Sequence, residues 1–166
     1  MPRQPCIGSN KDKRPSRTSA AEKEKEDAVS QREEKSQRYA EGLGLRTKVM
    51  GSAHVELALK QTSEFCRPVQ ELVTEYAWGE IWSRPGLDHK TRSLLNLAML
   101  TALNRPQELA GHVHAALNNG LTEAQIQEVL LQTLVYCGAP AALASFRVAE
   151  QAIADHHDAS FSTKRA

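Results

Sequence analysis

The segment His89–Leu103 limits the fold more than any other part of the chain. Leu94, Leu95, Leu97, Ala98, Met99, Leu100 and Ala102 make it apolar nearly all round, and its polar exceptions, Arg92, Ser93 and Asn96, share one stripe. A helix of that kind is a buried central one, so its neighbours must be amphipathic elements that wrap it. Proline and glycine mark those neighbours off. Ser52 can cap a short helix to about Lys60, and Pro68 opens one to about Trp82 with Val69, Leu72, Val73, Tyr76 and Ile81 on its apolar side. Arg84-Pro-Gly-Leu-Asp88 is a turn by composition. Pro106 begins the helix after the central one, and Gly120 closes it in the left-handed conformation. Thr122-Glu-Ala-Gln125 is a capping box for a helix striped by Ile126, Val129, Leu130, Thr133, Leu134 and Cys137. Gly138 ends that helix, and Pro140 starts a last one that fades near His156. No strand-like alternation interrupts the series. The sequence predicts an all-α bundle of helical hairpins joined by short turns. Apolar residues off the main stripes, at Leu131, Val135 and around the central helix, exceed what one small core needs, so the bundle is expected to be oligomer-forming.

At 166 residues the chain is long enough for one domain with a real core. Residues 1–37 have no aromatic side chain and almost no large aliphatic one before Tyr39; they begin basic (Lys11, Lys13, Arg14, Arg17) and then mix signs (Glu22, Lys23, Glu24, Lys25, Glu26). Such a stretch cannot bury enough apolar surface to offset its ordering entropy. It is expected to be a disordered charged tail, with nascent helix over Ala20–Lys35, ahead of a helical domain at 38–157 and a flexible C-terminus at 158–166. A net charge of +1 gives no case for nucleic acid or an anionic membrane as partner. No apolar run approaches the roughly 20 residues of a membrane span, and the N-terminus lacks the apolar core of a secretory signal, so a cytoplasmic protein is expected. Cys6, Cys66 and Cys137 are odd in number and far apart, which suits neither a disulfide framework nor a metal cluster.

Chemistry gathers in Glu108-Leu-Ala-Gly-His112-Val-His114-Ala-Ala-Leu-Asn118-Asn119-Gly120. Positions four apart are neighbours on a helix, so Glu108 and His112 can touch. A carboxylate beside an imidazole fixes its tautomer and raises its pKa, a common way to prepare a proton donor near neutral pH. Alone, the pair is equally a satisfied core histidine.

Its surroundings are less generic. Arg38-Tyr-Ala-Glu-Gly-Leu-Gly-Leu-Arg46-Thr-Lys48-Val-Met-Gly51, Tyr76-Ala-Trp-Gly-Glu80-Ile-Trp82-Ser-Arg84-Pro-Gly-Leu87, Thr91-Arg92-Ser93-Leu94, Glu108-Leu-x-x-His112, Asn118-Asn-Gly120 and Tyr136-x-Gly138-x-Pro140-Ala141 resemble the gamma-carboxymuconolactone decarboxylases, in order, over about Arg38 to Ile153. Alkylhydroperoxidase-D-type proteins of the same superfamily carry Cys-x-x-Cys-x-x-x-His on the equivalent helix. Counting back from Gly120, their histidine falls on His112, their cysteines on Arg105 and Glu108, and their preceding glutamate on Ser93. Thiol peroxidase chemistry then has neither nucleophile nor resolving partner. Two departures stand out: similar decarboxylases often have arginine at His114 and an acidic residue at Lys48. His114 lies about 200° round the helix from His112 and should face away from a pocket lined by it.

The resemblance implies a homo-oligomer (a hexamer) that decarboxylates 4-carboxymuconolactone, a dicarboxylate lactone of protocatechuate breakdown, to the beta-ketoadipate enol-lactone. It also implies that neither cofactor nor metal is needed, because the conjugated lactone carbonyl is the electron sink. On that reading His112 donates the proton, oriented by Glu108; Ser93 donates to the growing oxyanion; and Glu80 is a second carboxylate for proton relay. Arg46, Arg84 and Arg92 clamp carboxylates, with Trp82 against the pocket. The alternatives are a decarboxylase or isomerase-type enzyme acting on a related, for example methyl-substituted, lactone acid, and a non-catalytic helical oligomer that binds a small anion.

Overall fold

A computed structural model describes residues 17–163. Cys6, the basic opening at Lys11, Lys13 and Arg14, and residues 164–166 lie outside the described residues. The chain divides into two compact units, Met1–Ser36 and Gln37–Ala166. In the first, residues 17–36 are helical, with exposed charges of alternating sign at Glu22, Lys23, Glu24 and Lys25. The core and the candidate site belong to the second.

All regular structure among the described residues is helical. It comprises α1 (Arg17–Met50), α2 (Ser52–Lys60), α3 (Arg67–Leu72) running directly into a π-helical segment (Val73–Trp82), α4 (His89–Ala102), α5 (Pro106–Asn118), α6 (Glu123–Cys137) and α7 (Ala139–Thr163). The stops and starts follow local chemistry. Asp88 caps α4 by accepting from the Thr91 amide at 2.7 Å. Thr122 and Gln125 form both bonds of the capping box, at 3.2 and 3.0 Å. Gly120 takes φ +83°, where a side chain would be strained, and closes α5. Gly51, rather than Ser52, occupies the N-cap of α2; its φ of +91° turns the chain sharply between α1 and α2, leaving Ser52 inside the helix. No proline or glycine follows Pro140, and α7 accordingly runs past His156 to Thr163. No helix among the described residues is long and apolar enough to cross a membrane.

α4, α5, α6 and α7 pack together around Leu97, Leu109, Val113, Ala116, Leu121, Ile126, Leu130, Ala149 and Ala152. A second cluster joins the end of α1 to the π segment and α5 through Val49, Trp78, Trp82 and Ala115.

Two expectations change. The stripe Val69, Leu72, Val73, Tyr76 and Ile81 is exposed, and the buried side of that element is instead Thr74, Trp78, Gly79 and Trp82. The core-facing side is chosen by contact with α1. A Cβ on Gly42 would lie 2.2 Å from the Thr74 carbonyl oxygen, and one on Gly79 would lie 2.3 Å from that of Arg38. The backbones meet where neither residue has a side chain, and this crossing outweighs apolar count. The central helix is also not buried all round. Leu97 and Thr101 face the core, whereas Leu95, Met99 and Leu103 form an exposed apolar row.

The crossing predicts a clear contrast. Gly42→Ala and Gly79→Ala each force backbone apart and should destabilise the protein by about 2 kcal/mol or more. Gly44 meets nothing within 4 Å. There the same substitution should stabilise by roughly 0.5–1 kcal/mol through helix propensity. Thermal melts of the three variants measure the difference.

Candidate active site

α5 enters the core through Leu109, Val113 and Ala116, which leaves His112 on its flank, half-buried between α4 and α2. From α4, the Asn96 amide nitrogen lies 3.4 Å from His112 Nδ1, a long and weak bond. With the amide donating, Nδ1 accepts and the ring proton sits on Nε2. Were the ring to gain a second proton, Asn96 could turn its carbonyl oxygen to Nδ1, because an amide offers both functions. From α2 comes His54, whose Cε1 would lie 3.9 Å from a Cβ at Gly111; Met50 of α1 would approach the same point to 3.5 Å.

Glu108 is exposed, and no hydrogen bond joins it to His112 among the described residues. The imidazole is held below its ordinary pKa of 6.5, first by burial and then by the nearby charge of His54, with Glu108 pulling weakly upward. Glu108 does pull upward as its spacing suggests, but the expected raised pKa is overturned: loss of hydration outweighs attraction to a carboxylate that remains in solvent. His114, on the other side of α5, stacks 5.7 Å from His156 of α7 and is likewise lowered by burial and by His156. Lys48 is exposed.

Arg46 lies four residues before Met50 on α1 and is only 8% exposed. Its guanidinium donates to Gln70 Oε1 at 3.1 Å and Thr74 Oγ1 at 3.0 Å, while the Thr74 hydroxyl donates to the Gln70 carbonyl at 2.8 Å. Both partners are neutral, and burial lowers the Arg46 pKa. Its hydrogen-bond partners among the described residues are neutral oxygens, a setting that suits a carboxylate ligand. Arg46 and Met50, whose side chain reaches Gly111, are about 6 Å of helical rise apart on α1.

The other sequence-selected residues take different places. Ser93 is fully buried, and its Oγ accepts from Asn119 Nδ2 at 2.9 Å; the same amide reaches the His89 carbonyl at 3.5 Å. Arg84 and Glu80 face each other at 3.6 Å, both well exposed, the arrangement of a weak surface pair. Arg92 donates to the Arg84 carbonyl at 3.0 Å and so braces the Pro-Gly turn, while its Nε is buried without a partner. Trp82 packs 4.7 Å from Trp78 and 6.1 Å from His89. Asn118 donates to the Val49 carbonyl at 3.2 Å, tying the end of α5 to the end of α1.

His54, Gln70, Thr74 and Asn119 complete these clusters. Of the residues around them, Asn96, on the polar stripe of α4 with Ser93, and Asn119, in the Asn118-Asn119-Gly120 run, had a visible signal in the sequence. Cys66 and Cys137 are free thiols. Among the described residues no three His, Cys, Asp or Glu side chains gather as metal ligands. A cavity of about 530 Å³ between α6 and α7, lined by Leu130, Leu143, Phe146 and Arg147 among others, includes none of the sequence-selected residues.

Burial of neutral His112 and His114 makes stability depend on pH. Both folded pKa values lie below 6.5, so below that pH the unfolded chain binds more protons than the folded one. Their contribution should be complete above about pH 6.5 and fall away as pH drops through the folded values. Melting temperatures from pH 8 to pH 5 should decline, and less steeply in a His112→Asn/His114→Asn double variant.

Residues 67–151 match the carboxymuconolactone decarboxylase family. The chain is 45% identical over 120 residues to the nitrosuccinic acid decarboxylase npaB of Metarhizium robertsii, covering 72% of this chain and 84% of that one. It is 43% identical over 119 residues to the 4-carboxymuconolactone decarboxylase of Acinetobacter baylyi, covering 72% and 89%.

Proposed function

The chain belongs to the carboxymuconolactone decarboxylase family, and we propose that it is a carboxy-lyase converting 4-carboxymuconolactone to 3-oxoadipate enol-lactone and carbon dioxide in protocatechuate catabolism. The observation that carries the reading is the likeness to a 4-carboxymuconolactone decarboxylase over 89% of that protein's length. The fold supports it with a buried Arg46 held by Gln70 and Thr74, one helical turn before Met50, whose side chain reaches Gly111 beside His112.

The chemistry follows from the substrate. The bond between ring carbon and the leaving carboxylate breaks, and its electron pair moves through the conjugated double bond onto the lactone carbonyl oxygen. Collapse of that dienolate forms a new C–H bond with a proton from the protein. No cofactor is required, because the lactone itself accepts the electrons. Arg46 holds the carboxylate that stays, which leaves the departing one poorly solvated and favours its loss as neutral carbon dioxide. His112 delivers the proton from Nε2, with Asn96 on Nδ1 keeping the ring aimed. Glu108 attracts the imidazolium once it forms, and Ser93 and Asn119 hold α4 in register beneath Asn96. Arg84, Arg92, Glu80 and Trp82 are assigned to carboxylate binding and proton relay as the resemblance implies, with Arg92 also bracing the Pro-Gly turn.

A neutral His112 at rest must gain a proton before it can give one. The bound dianion supplies the reason, since negative charge beside an imidazole raises its pKa. Assembly belongs to the same reading. The exposed row Leu95, Met99 and Leu103, together with Leu131, Val135 and Tyr136, forms the contact faces of a cytoplasmic homo-oligomer. The helical domain is assigned to 38–157, between a tail at 1–37 and a C-terminus at 158–166.

The likeness to a nitrosuccinic acid decarboxylase favours a second reading. Nitrosuccinate is also a dicarboxylate with an electron-accepting group next to a carboxylate, so the same clamp and donor would serve it. Purified protein without added metal or cofactor, offered each compound in turn, decides by carbon dioxide release. Turnover of the lactone that survives EDTA supports the first reading. Turnover of nitrosuccinate alone replaces it with the second, and turnover of neither from a folded protein removes both.

On the first reading, His112→Ala should lower kcat by about 10²–10⁴-fold with the fold intact by circular dichroism. Arg46→Met should raise KM at least about tenfold, the loss of one charge-assisted carboxylate contact. In the pH profile, kcat/KM should fall as pH rises through a value below 6.5, set by free His112, while kcat holds to higher pH.

A further inference from the structure

Arg46 is buried, yet its bonds use only one corner of the guanidinium. Both leave from Nη1, one to Gln70 and one to Thr74. A guanidinium is a planar fork of donors, so the rest of the fork has no acceptor among the described residues.

Next to this arginine is a second cavity, of about 260 Å³, between α1, the end of α2 and the start of α3. Tyr39, Leu59, Thr62, Arg67, Gln70 and Glu71 line it. Gln70 belongs to both places. Arg46 has only donors to offer, so Gln70 presents Oε1 to it, and the amide NH2 is left for another partner. Tyr39 stands seven residues before Arg46 on α1, about two turns, and so on the same side of that helix. Arg67 is three residues before Gln70 and shares its flank of α3. Thr62 donates its hydroxyl proton to the Ala58 carbonyl at 2.7 Å and keeps no donor for a ligand. The cavity thus offers the Arg67 guanidinium, the Gln70 amide and the Tyr39 hydroxyl, with Leu59 as an apolar wall. Glu71 is the one carboxylate in the lining. It lies four residues from Arg67 and forms no ion pair with it among the described residues.

From this placement we infer that the cavity receives a small carboxylate, with Arg67 as the cation at its mouth and Arg46 behind Gln70 at its inner end. Its volume lies just under the range usual for ligand sites, which suits one small acid and excludes a bulky one. The inference rests on the decarboxylase reading only for what that carboxylate belongs to, the substrate group that stays. Arg67 is then a binding residue that no sequence motif marks. The two charges of the lining make the assignment testable by sign. An anion gains from Arg67 and loses by Glu71, and a cation does the reverse.

The test uses the full chain and succinate, a stable dicarboxylate, followed by calorimetry in low-chloride buffer. Arg67 and Glu71 are both exposed, and melting curves confirm the fold of each variant. Arg67→Gln should weaken succinate binding about tenfold or more, the loss of one charge-assisted contact. Glu71→Gln should tighten it about twofold or more. Arg147→Gln, the same loss of charge at the α6–α7 cavity, is the control and should change it less than about twofold. No saturable succinate binding to wild type, equal effects of Arg67→Gln and Arg147→Gln, or weaker binding in Glu71→Gln overturns the pocket. With 4-carboxymuconolactone, Arg67→Gln should raise KM about tenfold and leave kcat within about threefold, because the contact is made equally before and during reaction. An unchanged KM overturns the role in substrate binding and leaves the decarboxylase reading standing. If wild type turns over no lactone, that reading falls, and the succinate result still decides the pocket.

Discussion

Where α1 crosses the π-helical segment, Gly42 and Gly79 let two backbones touch with nothing between them. That contact fixes the height of α1 over its partner, and the candidate site is read off α1 like marks on a rule. One turn beyond Gly42, Arg46 meets Gln70 and Thr74; another turn on, Met50 reaches Gly111. Gly51 then bends the chain and places His54 beside the same glycine. π-helical turns are rare and often mark functional sites. Here the segment brings Thr74, Trp78 and Trp82 to one side, so it both seals the second apolar cluster and supplies an oxygen to the buried guanidinium.

The electrostatics of the two clusters are complementary. Arg46 keeps its charge while giving up water, and two neutral oxygens hold it in place. His112 gives up water and with it the charge. A dianionic ligand reverses both conditions at once, neutralising the first and making the second worth protonating. Asn96 suits that reversal, since its side chain can meet Nδ1 in either protonation state.

How much of this the sequence carried depends on how local the determining contact is. Pro106, Gly120, Asp88 and the Thr122–Gln125 box act within a few residues, and their elements begin and end where that chemistry requires. The buried face of Val73–Trp82 was not legible, because it is selected by a glycine on another helix rather than by its own apolar residues. Nor was the open face of α4: a row of leucine and methionine looks identical whether its partner is in the same chain or elsewhere. Glu108 and His112 are neighbours as their spacing says, yet burial and His54 decide the imidazole's charge, and neither can be counted from a spacing of four. His54, Gln70 and Thr74 have no motif to betray them; only the fold brings them to His112 and Arg46.

The neutral setting of Arg46 has a further consequence for any solution that contains the protein. Among the described residues no carboxylate pairs with Arg46, so a small anion of the medium, such as chloride, phosphate or acetate, can serve as its counter-ion. A substrate carboxylate would then compete with that anion. Its apparent affinity inherits the identity and concentration of the buffer salt, beyond the general screening that ionic strength imposes. Two laboratories using different salts at one ionic strength would measure different Michaelis constants for the same molecule.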